Sequence, residues 1–163
     1  MVKWTYGDKD IIYDAKGVEF ATEVAMTIYI ELMSEGVYEY RFVEFSGRDI
    51  CKYDDNNLLT IYDQNEEKHE IQLDDINDVF ILNKKIYVMN KRREIIVYNS
   101  KGENNGLIMP PQGYIFSRFC CDSNKFEVIC EGDLLRADSF GRVDYKFEYD
   151  LLCNNWKRED VVY

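Results

Sequence analysis

The sequence has little of what most enzyme sites require. It contains a single histidine, His69, so any Ser-His-Asp or Cys-His arrangement would have to use that residue. Its nine glycines never take the spacing G-x-G-x-x-G or G-x-x-x-x-G-K-[ST], and the motif G-x-S-x-G is also missing. These absences argue against phosphate-cradling loops and against the familiar nucleophilic hydrolases. We therefore predict that the chain is not an enzyme, with no catalytic residue and no cofactor.

Sequence motifs typical of metal sites and of disulfide frameworks are missing as well. The chain has five cysteines, an odd number, and none of them forms C-x-x-C. The acidic turn Asp54-Asp55-Asn56-Asn57 lacks the spacing of a calcium-binding EF-hand loop. The sequence thus predicts no metal site, and it predicts reduced thiols of the kind found in the cytosol.

Long apolar segments are also absent. No apolar run approaches the ~20 residues that a membrane-spanning helix requires. The first six residues lack the apolar core of a secretory signal, and neither end carries a lipidation motif. We expect a cytoplasmic location and no membrane partner.

Proline is scarce, and aromatic residues are abundant. The chain has two prolines against thirteen tyrosines and nine phenylalanines, and aromatic side chains favour the pleated surface of a sheet. A length of 163 residues can bury a substantial core as one domain. We predict a mainly β fold and a single domain over residues 1–163.

An internal repeat supports the β prediction. A shift of 36 residues places the stretch 48–73 on 84–109, with chemistry kept at most apolar positions. The centre is Leu-Thr-Ile-Tyr-Asp in one copy and Ile-Ile-Val-Tyr-Asn in the other, and each ends at a residue that can start a turn. The aligned pairs include Ile50 and Ile86, Leu59 and Ile95, Ile61 and Val97, Tyr62 and Tyr98, and Ile71 and Leu107.

Two further copies extend the repeat along the chain. Residues 11–17 resemble residues 96–102, and residues 125–129 resemble residues 85–89. We predict an N-terminal hairpin at 3–17 and repeat units near 37–73, 74–109 and 110–160. Such antiparallel meander units resemble β-propeller blades. Three units are few for a propeller, so an incomplete ring, a ring closed by the hairpin and an open meander all stay possible.

Residues 18–35 interrupt this pattern. Phe20, Val24, Ile28 and Leu32 are spaced by four, and Gly36 can end a helix in the left-handed region, so we predict one amphipathic helix near 18–35. The alternative is a strand through residues 27–30 that turns at residues 34–36 into a second strand over residues 37–43.

The net negative charge of the chain comes from its first half. Residues 1–78 contain 19 acids and 7 bases, whereas residues 79–163 contain 12 acids and 13 bases. Such a field repels nucleic acid and attracts a basic partner. Tyrosine is common at interface hot spots, so tyrosines among these acids predict a protein-binding surface. The candidate partner-binding residues are Tyr38, Tyr40, Tyr53, Asp54, Asp55, Tyr62, Asp63, Glu66 and Glu67.

In size, acidity, aromatic content and lack of catalytic motifs, the chain resembles the immunity proteins of bacterial toxin systems, such as those of contact-dependent growth inhibition. That resemblance implies a cytoplasmic protein that neutralises a basic, nuclease-like cognate toxin. Two other classes of function stay open. One is a propeller-like domain that binds or hydrolyses carbohydrate, and the other is a β-repeat scaffold that assembles with itself, for example as a homodimer.

Overall fold

A computed structural model describes residues 2–6, 9–13, 16–24, 26–91, 94–120 and 125–162. These residues form sixteen β-strands and a single 3-10 turn at Leu134–Arg136, and every paired strand is antiparallel to its neighbour. Sequential strands pair in all four sheets, so each sheet is a meander. The prediction of a mainly β fold built from repeated meander units is confirmed.

The chain divides into two compact units, residues 1–74 with 100–103 and residues 75–99 with 104–163. The prediction of one domain stays a prediction. The first unit holds a hairpin and a six-stranded sheet, whose strands are β1 (Val2–Tyr6), β2 (Lys9–Tyr13), β3 (Val18–Val24), β4 (Thr27–Ser34), β5 (Val37–Val43), β6 (Asp49–Asp54), β7 (Leu58–Tyr62) and β8 (Lys68–Gln72). Residues 7, 8, 14 and 15 of the predicted hairpin lie outside the described residues.

The second unit holds two four-stranded sheets, each with the strand number and order of a propeller blade. The first consists of β9 (Asp78–Leu82), β10 (Lys85–Met89), β11 (Ile95–Tyr98) and β12 (Asn104–Ile108). The second consists of β13 (Tyr114–Cys120), β14 (Glu127–Gly132), β15 (Asp144–Asp150) and β16 (Asn155–Val161).

The predicted helix near 18–35 is wrong, because β3 and β4 occupy that segment. A spacing of four is also a multiple of the two-residue period of a strand, so it did not distinguish the two structures. Ile28, Ile30 and Leu32 alternate with half-exposed Tyr29 and Glu31, as strand residues do. The alternative interpretation, two strands joined by a turn, is confirmed.

The turn between β4 and β5 explains the role of Gly36. Ser34 pairs with Val37, so the loop has two residues, and Glu35 and Gly36 both have positive φ angles of 53° and 83°. Two-residue hairpin loops with positive φ match the twist of the flanking strands. Gly36 thus adopts the predicted left-handed conformation, but it closes a hairpin and does not end a helix.

The internal repeat corresponds to repeated strands. β7 and β11 are the two copies of the central motif, and Leu59, Ile61, Ile95 and Val97 are all buried at aligned positions. Ile50 and Ile86 lie on the preceding strands of the two sheets. The apolar positions of the repeat therefore correspond to side chains that are buried in each sheet.

Each face of the six-stranded sheet buries apolar residues, mainly from β4 on one face and mainly from β6 and β7 on the other. Ile28, Ile30, Leu32 and Val43 form a cluster on one face, against which Val18, Ala21 and Phe45 pack. On the opposite face the buried side chains belong to β5, β6 and β7, namely Phe42, Cys51, Tyr53, Leu59 and Ile61. This second face stays partly exposed at β3, β4 and the first half of β5, where the candidate site lies.

Aromatic packing and a buried carboxyl connect the two sheets of the second unit. The ring of Phe80 in β9 lies 5.5 Å from that of Phe119 in β13. The Asp78 carboxylate accepts hydrogen bonds from the backbone N–H groups of Val79 (2.9 Å) and Phe119 (2.8 Å). The Asn77 side chain donates to the carbonyl oxygen of Ser117 at 3.0 Å. These hydrogen bonds join the N-terminal end of β9 to β13.

No helix among the described residues is long and apolar enough to cross a membrane. Cys51, Cys130 and Cys153 carry free thiols, and Cys121 lies outside the described residues.

We expect Gly17→Ala to destabilise the first unit more than Gly36→Ala does. Both glycines have positive φ, so alanine at either position should cost about 1 kcal/mol of strain. A Cβ at Gly17 would also lie 2.3 Å from the carbonyl oxygen of Met33, whereas a Cβ at Gly36 meets no atom within 4 Å. The cost at Gly17 should reach about 3 kcal/mol. Urea denaturation of both variants measures this, and equal losses would contradict the predicted clash.

The contribution of Asp78 to the stability of the second unit should fall as the pH rises from about 4 to about 6. Burial raises the pKa of the Asp78 carboxyl from 3.8 to about 6, although its two backbone donors and Arg118 oppose the rise. Because the folded state then binds more protons than the unfolded state, the contribution of Asp78 is present below pH 4 and is lost through pH 6. The loss is at most roughly 3 kcal/mol.

Denaturation of the wild type and of Asp78→Asn across this pH range isolates the effect of Asp78. The difference between their free energies of unfolding should change between pH 4 and pH 7. Parallel profiles for the two proteins would assign the pH dependence to other carboxyl groups.

Candidate protein-binding face

Strand register places several aromatic side chains on one face of the six-stranded sheet. Met33 pairs with Tyr38, Glu31 with Tyr40, and Tyr40 with Tyr53 across β4, β5 and β6. Directly opposed residues of an antiparallel pair project to the same side. We call the exposed part of this surface the tyrosine face. It consists of the following residues, with Glu19 and Asp55 included because their carboxylates accept hydrogen bonds from its tyrosines: Glu19, Phe20, Tyr29, Glu31, Met33, Tyr38, Tyr40 and Asp55.

A β-bulge brings Phe20 to this face. Val18 pairs with Leu32 on the core side, but Phe20 pairs with Glu31, so Glu19 is the extra residue of the bulge. Without that extra residue, Phe20 and Val18 would project to the same side. Phe20 lies 6.5 Å from the Tyr29 ring in an edge-on arrangement.

The tyrosine rings stack around Tyr40. The ring centroids of Tyr29 and Tyr38 lie 6.5 Å and 6.2 Å from that of Tyr40, with interplanar angles of 7° and 13°. The ring of buried Tyr53 lies 4.8 Å from Tyr40 and supports it. Offset-stacked rings at these distances attract one another and hold the side chains in fixed rotamers.

Each of the three half-buried tyrosines donates a hydrogen bond from its hydroxyl to a carboxylate. Tyr29 donates to Glu31 at 2.9 Å, Tyr38 to Glu19 at 3.3 Å and Tyr40 to Asp55 at 3.4 Å. The other oxygen of Asp55 accepts the backbone N–H of Tyr38 at 3.1 Å. The face therefore presents aromatic rings and carboxylates together.

Nearby carboxylates and burial make Tyr38 and Tyr40 harder to ionise than an ordinary tyrosine. The negative charge of Glu19 raises the pKa of the Tyr38 hydroxyl, and burial followed by the charge of Asp55 raises the pKa of Tyr40. Both hydroxyls consequently stay neutral donors at and above neutral pH, and the negative charge of the face comes from its carboxylates alone.

The basic side chains of the same strands lie on the opposite face of the sheet. Arg41 pairs with Ile30 and with Lys52, so both cations point away from the tyrosine face. There Glu39 accepts from Arg41 and, at 2.6 Å, from Lys52. Burial opposes ionisation of Glu39, but these two cations lower its pKa below the ordinary value. Alternation thus separates a charge-paired face from an acidic aromatic face.

The tyrosine face is accessible. Phe20 is 50% exposed and Met33 is 40% exposed, and Tyr29, Glu31, Tyr38 and Tyr40 are half-buried. Rings with negatively polarised faces beside carboxylates suit a cation, above all a guanidinium group that can stack and form hydrogen bonds at the same time. The geometry is suited to binding basic side chains.

The structure brings four of the predicted partner-binding residues together, namely Tyr38, Tyr40, Tyr53 and Asp55. Tyr53 supports the face from a buried position. Asp54 instead accepts the backbone N–H groups of Asn56 and Leu58 and shapes the turn between β6 and β7.

The other four predicted residues lie elsewhere. Tyr62 projects from the opposite side of the sheet, where its ring lies 6.0 Å from the Lys68 ammonium. Asp63, Glu66 and Glu67 form the turn between β7 and β8, at the far end of β7 from Asp54 and Asp55. A five-residue strand separates these turns by roughly 17 Å. The predicted acids therefore do not form one patch.

Sequence analysis missed Glu19, Phe20, Tyr29 and Glu31 because it assigned their segment to a helix. The alternating run Thr27-Ile28-Tyr29-Ile30 was the signal that could have found them, since β-branched and aromatic residues favour strands.

The second unit has two further surface features. A cleft of about 490 Å³ is lined by Phe126, Tyr149, Glu148 and Asp150 among others. Both carboxylates there have structural partners, because Glu148 pairs with Lys125 at 3.1 Å and Asp150 accepts the N–H groups of Leu152 and Cys153. Among the described lining residues, both carboxylates therefore hold neighbouring groups of the protein in place.

The other feature is an ordered apolar loop. Leu134, Leu135 and Phe140 are 80% exposed or more. Asp133 accepts the N–H of Leu135, and Asp138 accepts that of Phe140, so hydrogen bonds fix the backbone that carries these side chains.

Comparison with protein-family models and with curated proteins finds no match. Among solved structures, the chain is similar to the N-terminal domain of Nup159, at 12% identity and a TM-score of 0.47 over 89% of this chain and 48% of that one. It is also similar to KlHsv2 with loop 6CD replaced by a Gly-Ser linker, at 10% identity and a TM-score of 0.35 over 94% of this chain and 73% of that one. The chain spans about half the length of the Nup159 domain. At these scores the similarities assign neither a family nor a function.

Proposed function

We propose that this chain is a non-catalytic protein-binding module whose tyrosine face receives basic side chains of a partner. The observation that carries the proposal is the set of three stacked tyrosines whose hydroxyls are each hydrogen-bonded to a carboxylate. The cations of the neighbouring strands are paired on the opposite face, so they do not neutralise this surface.

The carboxylates and the tyrosines of the face act on different steps of binding. Carboxylates attract a basic partner at long range and mainly raise the association rate. Stacked tyrosines bury a large rigid area at a small cost in side-chain entropy, and their desolvated contacts slow dissociation. A partner with exposed arginines uses both components, because guanidinium groups stack on rings and pair with carboxylates.

We further propose that the protein acts in the cytoplasm as an immunity protein and that its partner is a basic, nuclease-like bacterial toxin. Nucleases bind phosphates through cationic surfaces. The carboxylates of the tyrosine face would occupy such a surface in place of phosphate groups. The excess of acids in residues 1–78, which contain the tyrosine face, supports this assignment. The same excess disfavours nucleic acid as a ligand.

Affinity capture from the native host tests the identity of the partner. Wild-type protein and a Glu31→Lys variant serve as parallel baits, and bound proteins are eluted with rising salt and identified by mass spectrometry. A basic toxin that is retained by the wild type and lost from the variant supports the proposal. Equal recovery on both baits would remove the tyrosine face as the interface, and no basic partner on either bait would remove the immunity function.

Reversal of one charge on the tyrosine face should slow association with a cationic probe. We expect Glu31→Lys to reduce the association rate of an oligo-arginine peptide about tenfold at low ionic strength, because it removes an attractive charge and adds a repulsive one. The loss should shrink as salt screens the charges. Stopped-flow tyrosine fluorescence measures the rate.

Glu70→Lys is the matched control for this experiment. It changes the net charge equally, but Glu70 is exposed on β8, on the opposite face of the sheet. The control should retain most of the wild-type rate. An equal loss in both variants would show that net charge, and not the tyrosine face, steers the peptide.

Truncation of Tyr38 should mainly accelerate dissociation of the captured partner. Tyr38 stacks on Tyr40 at the exposed side of the face, so Tyr38→Ala should cost about 2 kcal/mol of binding free energy, as a hot-spot aromatic does. Tyr62→Ala, a tyrosine on the opposite face, should cost little. Surface plasmon resonance gives both dissociation rates, and thermal unfolding confirms that both variants are folded. Faster dissociation of Tyr62→Ala alone would place the interface on the opposite face.

A further inference from the structure

The turn between β7 and β8 gathers three side chains that can bind a metal. Ile61 pairs with His69, so these two residues share a face of the sheet. Asp63 follows Ile61 by two positions and Glu67 precedes His69 by two, which places both carboxylates on the same side as the imidazole. His69 is the only histidine of the chain.

The donor atoms of these side chains converge. One oxygen of Asp63, one oxygen of Glu67 and one ring nitrogen of His69 all lie within 4.8 Å of one another. The Nε2 atom of His69 lies 3.8 Å from Oδ2 of Asp63. That distance is too long for a hydrogen bond, but it suits two ligands of one ion.

The Nε2 atom of His69 is buried, although 30% of the His69 side chain is exposed. It is shielded from solvent, and it has no hydrogen-bond partner among the described residues. A buried polar nitrogen without a partner is costly, and an ion or a water molecule commonly accounts for it. The atom is directed at Asp63, which can provide a second ligand to an ion at that position.

The surrounding backbone orients two of the three groups. Oδ1 of Asp63 accepts the N–H groups of Asn65 at 2.7 Å and Glu67 at 2.9 Å, while its Oδ2 faces His69. Gly102 packs against His69, since a Cβ at Gly102 would lie 3.0 Å from the Cβ of His69. Such contacts fix ligands before a metal binds.

We propose that Asp63, Glu67 and His69 form a binding site for a divalent transition-metal ion, with zinc as the reference ion. One imidazole nitrogen with two carboxylate oxygens is a donor set that zinc accepts in four-coordinate sites. Calcium and magnesium prefer oxygen ligands alone, and calcium takes six to eight of them. Three protein ligands leave the fourth position to water.

The spacing of the donor atoms fits this ion. Tetrahedral ligands at 2.0–2.1 Å from zinc lie about 3.3 Å apart, so the 3.8 Å between His69 and Asp63 requires only a small adjustment. Glu67 is exposed and can rotate to complete the set. The site lies at the far end of β7 from Asp55, so it does not depend on the proposed binding of a basic partner.

Zinc titration of untagged, chelator-treated protein tests the proposal, because an affinity tag would add competing histidines. Calorimetry should give one zinc ion per chain. The single imidazole permits an unambiguous readout by ¹⁵N-detected NMR, in which the Nε2 resonance of His69 should move to a metal-bound position. The melting temperature should rise with added zinc, since an ion that binds only the folded state stabilises it.

Three variants show which side chains bind the ion. His69→Gln and Glu67→Gln should each weaken zinc binding by at least about tenfold, because even the loss of a residue that only orients a ligand has such an effect. Glu66→Gln is the matched control, since Glu66 lies in the same turn but outside the cluster. It should bind zinc like the wild type. Because Glu67 is exposed, Glu67→Gln keeps the test valid even if His69→Gln does not fold.

Other sources of zinc affinity give different results. Binding through thiols would leave the affinity of His69→Gln unchanged and would disappear after alkylation of the cysteines. A water molecule between His69 and Asp63 would leave the Nε2 resonance unmoved by zinc. Either result, or equal losses in Glu66→Gln and Glu67→Gln, would overturn the site.

Discussion

The alternation of side chains along a meander of fixed register is the constraint on which the candidate site depends. Tyr40 faces the same side as Glu31 and Tyr53 because they are directly paired, and Arg41, one residue later, faces the other side with Lys52. A slip of one residue in β5 would exchange these faces and place a guanidinium among the tyrosines. The two-residue turn at Glu35-Gly36 excludes that slip, since its positive φ angles fix the register between β4 and β5.

The fold could be predicted from the sequence where the period of apolar residues was distinctive. The motif of β7 recurs in β11, and the buried positions of both strands follow from the repeat. The helix prediction for residues 18–35 was wrong because a spacing of four residues is compatible with both the strand period and the helix period. The β-bulge at Glu19 also lacks a reliable signal in the sequence, although it decides which face receives Phe20.

The candidate site could be predicted only in part. Composition singled out Tyr38, Tyr40, Tyr53 and Asp55, because tyrosines stand among acids in residues 1–78. Their arrangement depends on pairing between strands, which no local pattern encodes. The same limit explains the acids of the two turns, which are close in sequence but lie at opposite ends of β7. In a meander, strand register decides which side chains lie close together. Residues that are close in sequence lie far apart when a whole strand separates them.

Hydrogen bonds between tyrosine hydroxyls and carboxylates allow stacked rings and several acids to share one face of the sheet. The negative charges of Glu19, Glu31 and Asp55 repel one another. Each carboxylate accepts a hydrogen bond from a different tyrosine hydroxyl, which stabilises its charge and fixes its position. These hydrogen bonds use only part of the capacity of each carboxylate, since a carboxylate has about four acceptor sites and even Asp55 accepts only two hydrogen bonds from the described residues, namely from the Tyr40 hydroxyl and the Tyr38 N–H. The remaining sites can accept the N–H groups of a guanidinium while its plane stacks on a tyrosine ring. A partner's arginine would therefore meet acceptors that are oriented before it arrives, which lowers the entropic cost of the complex.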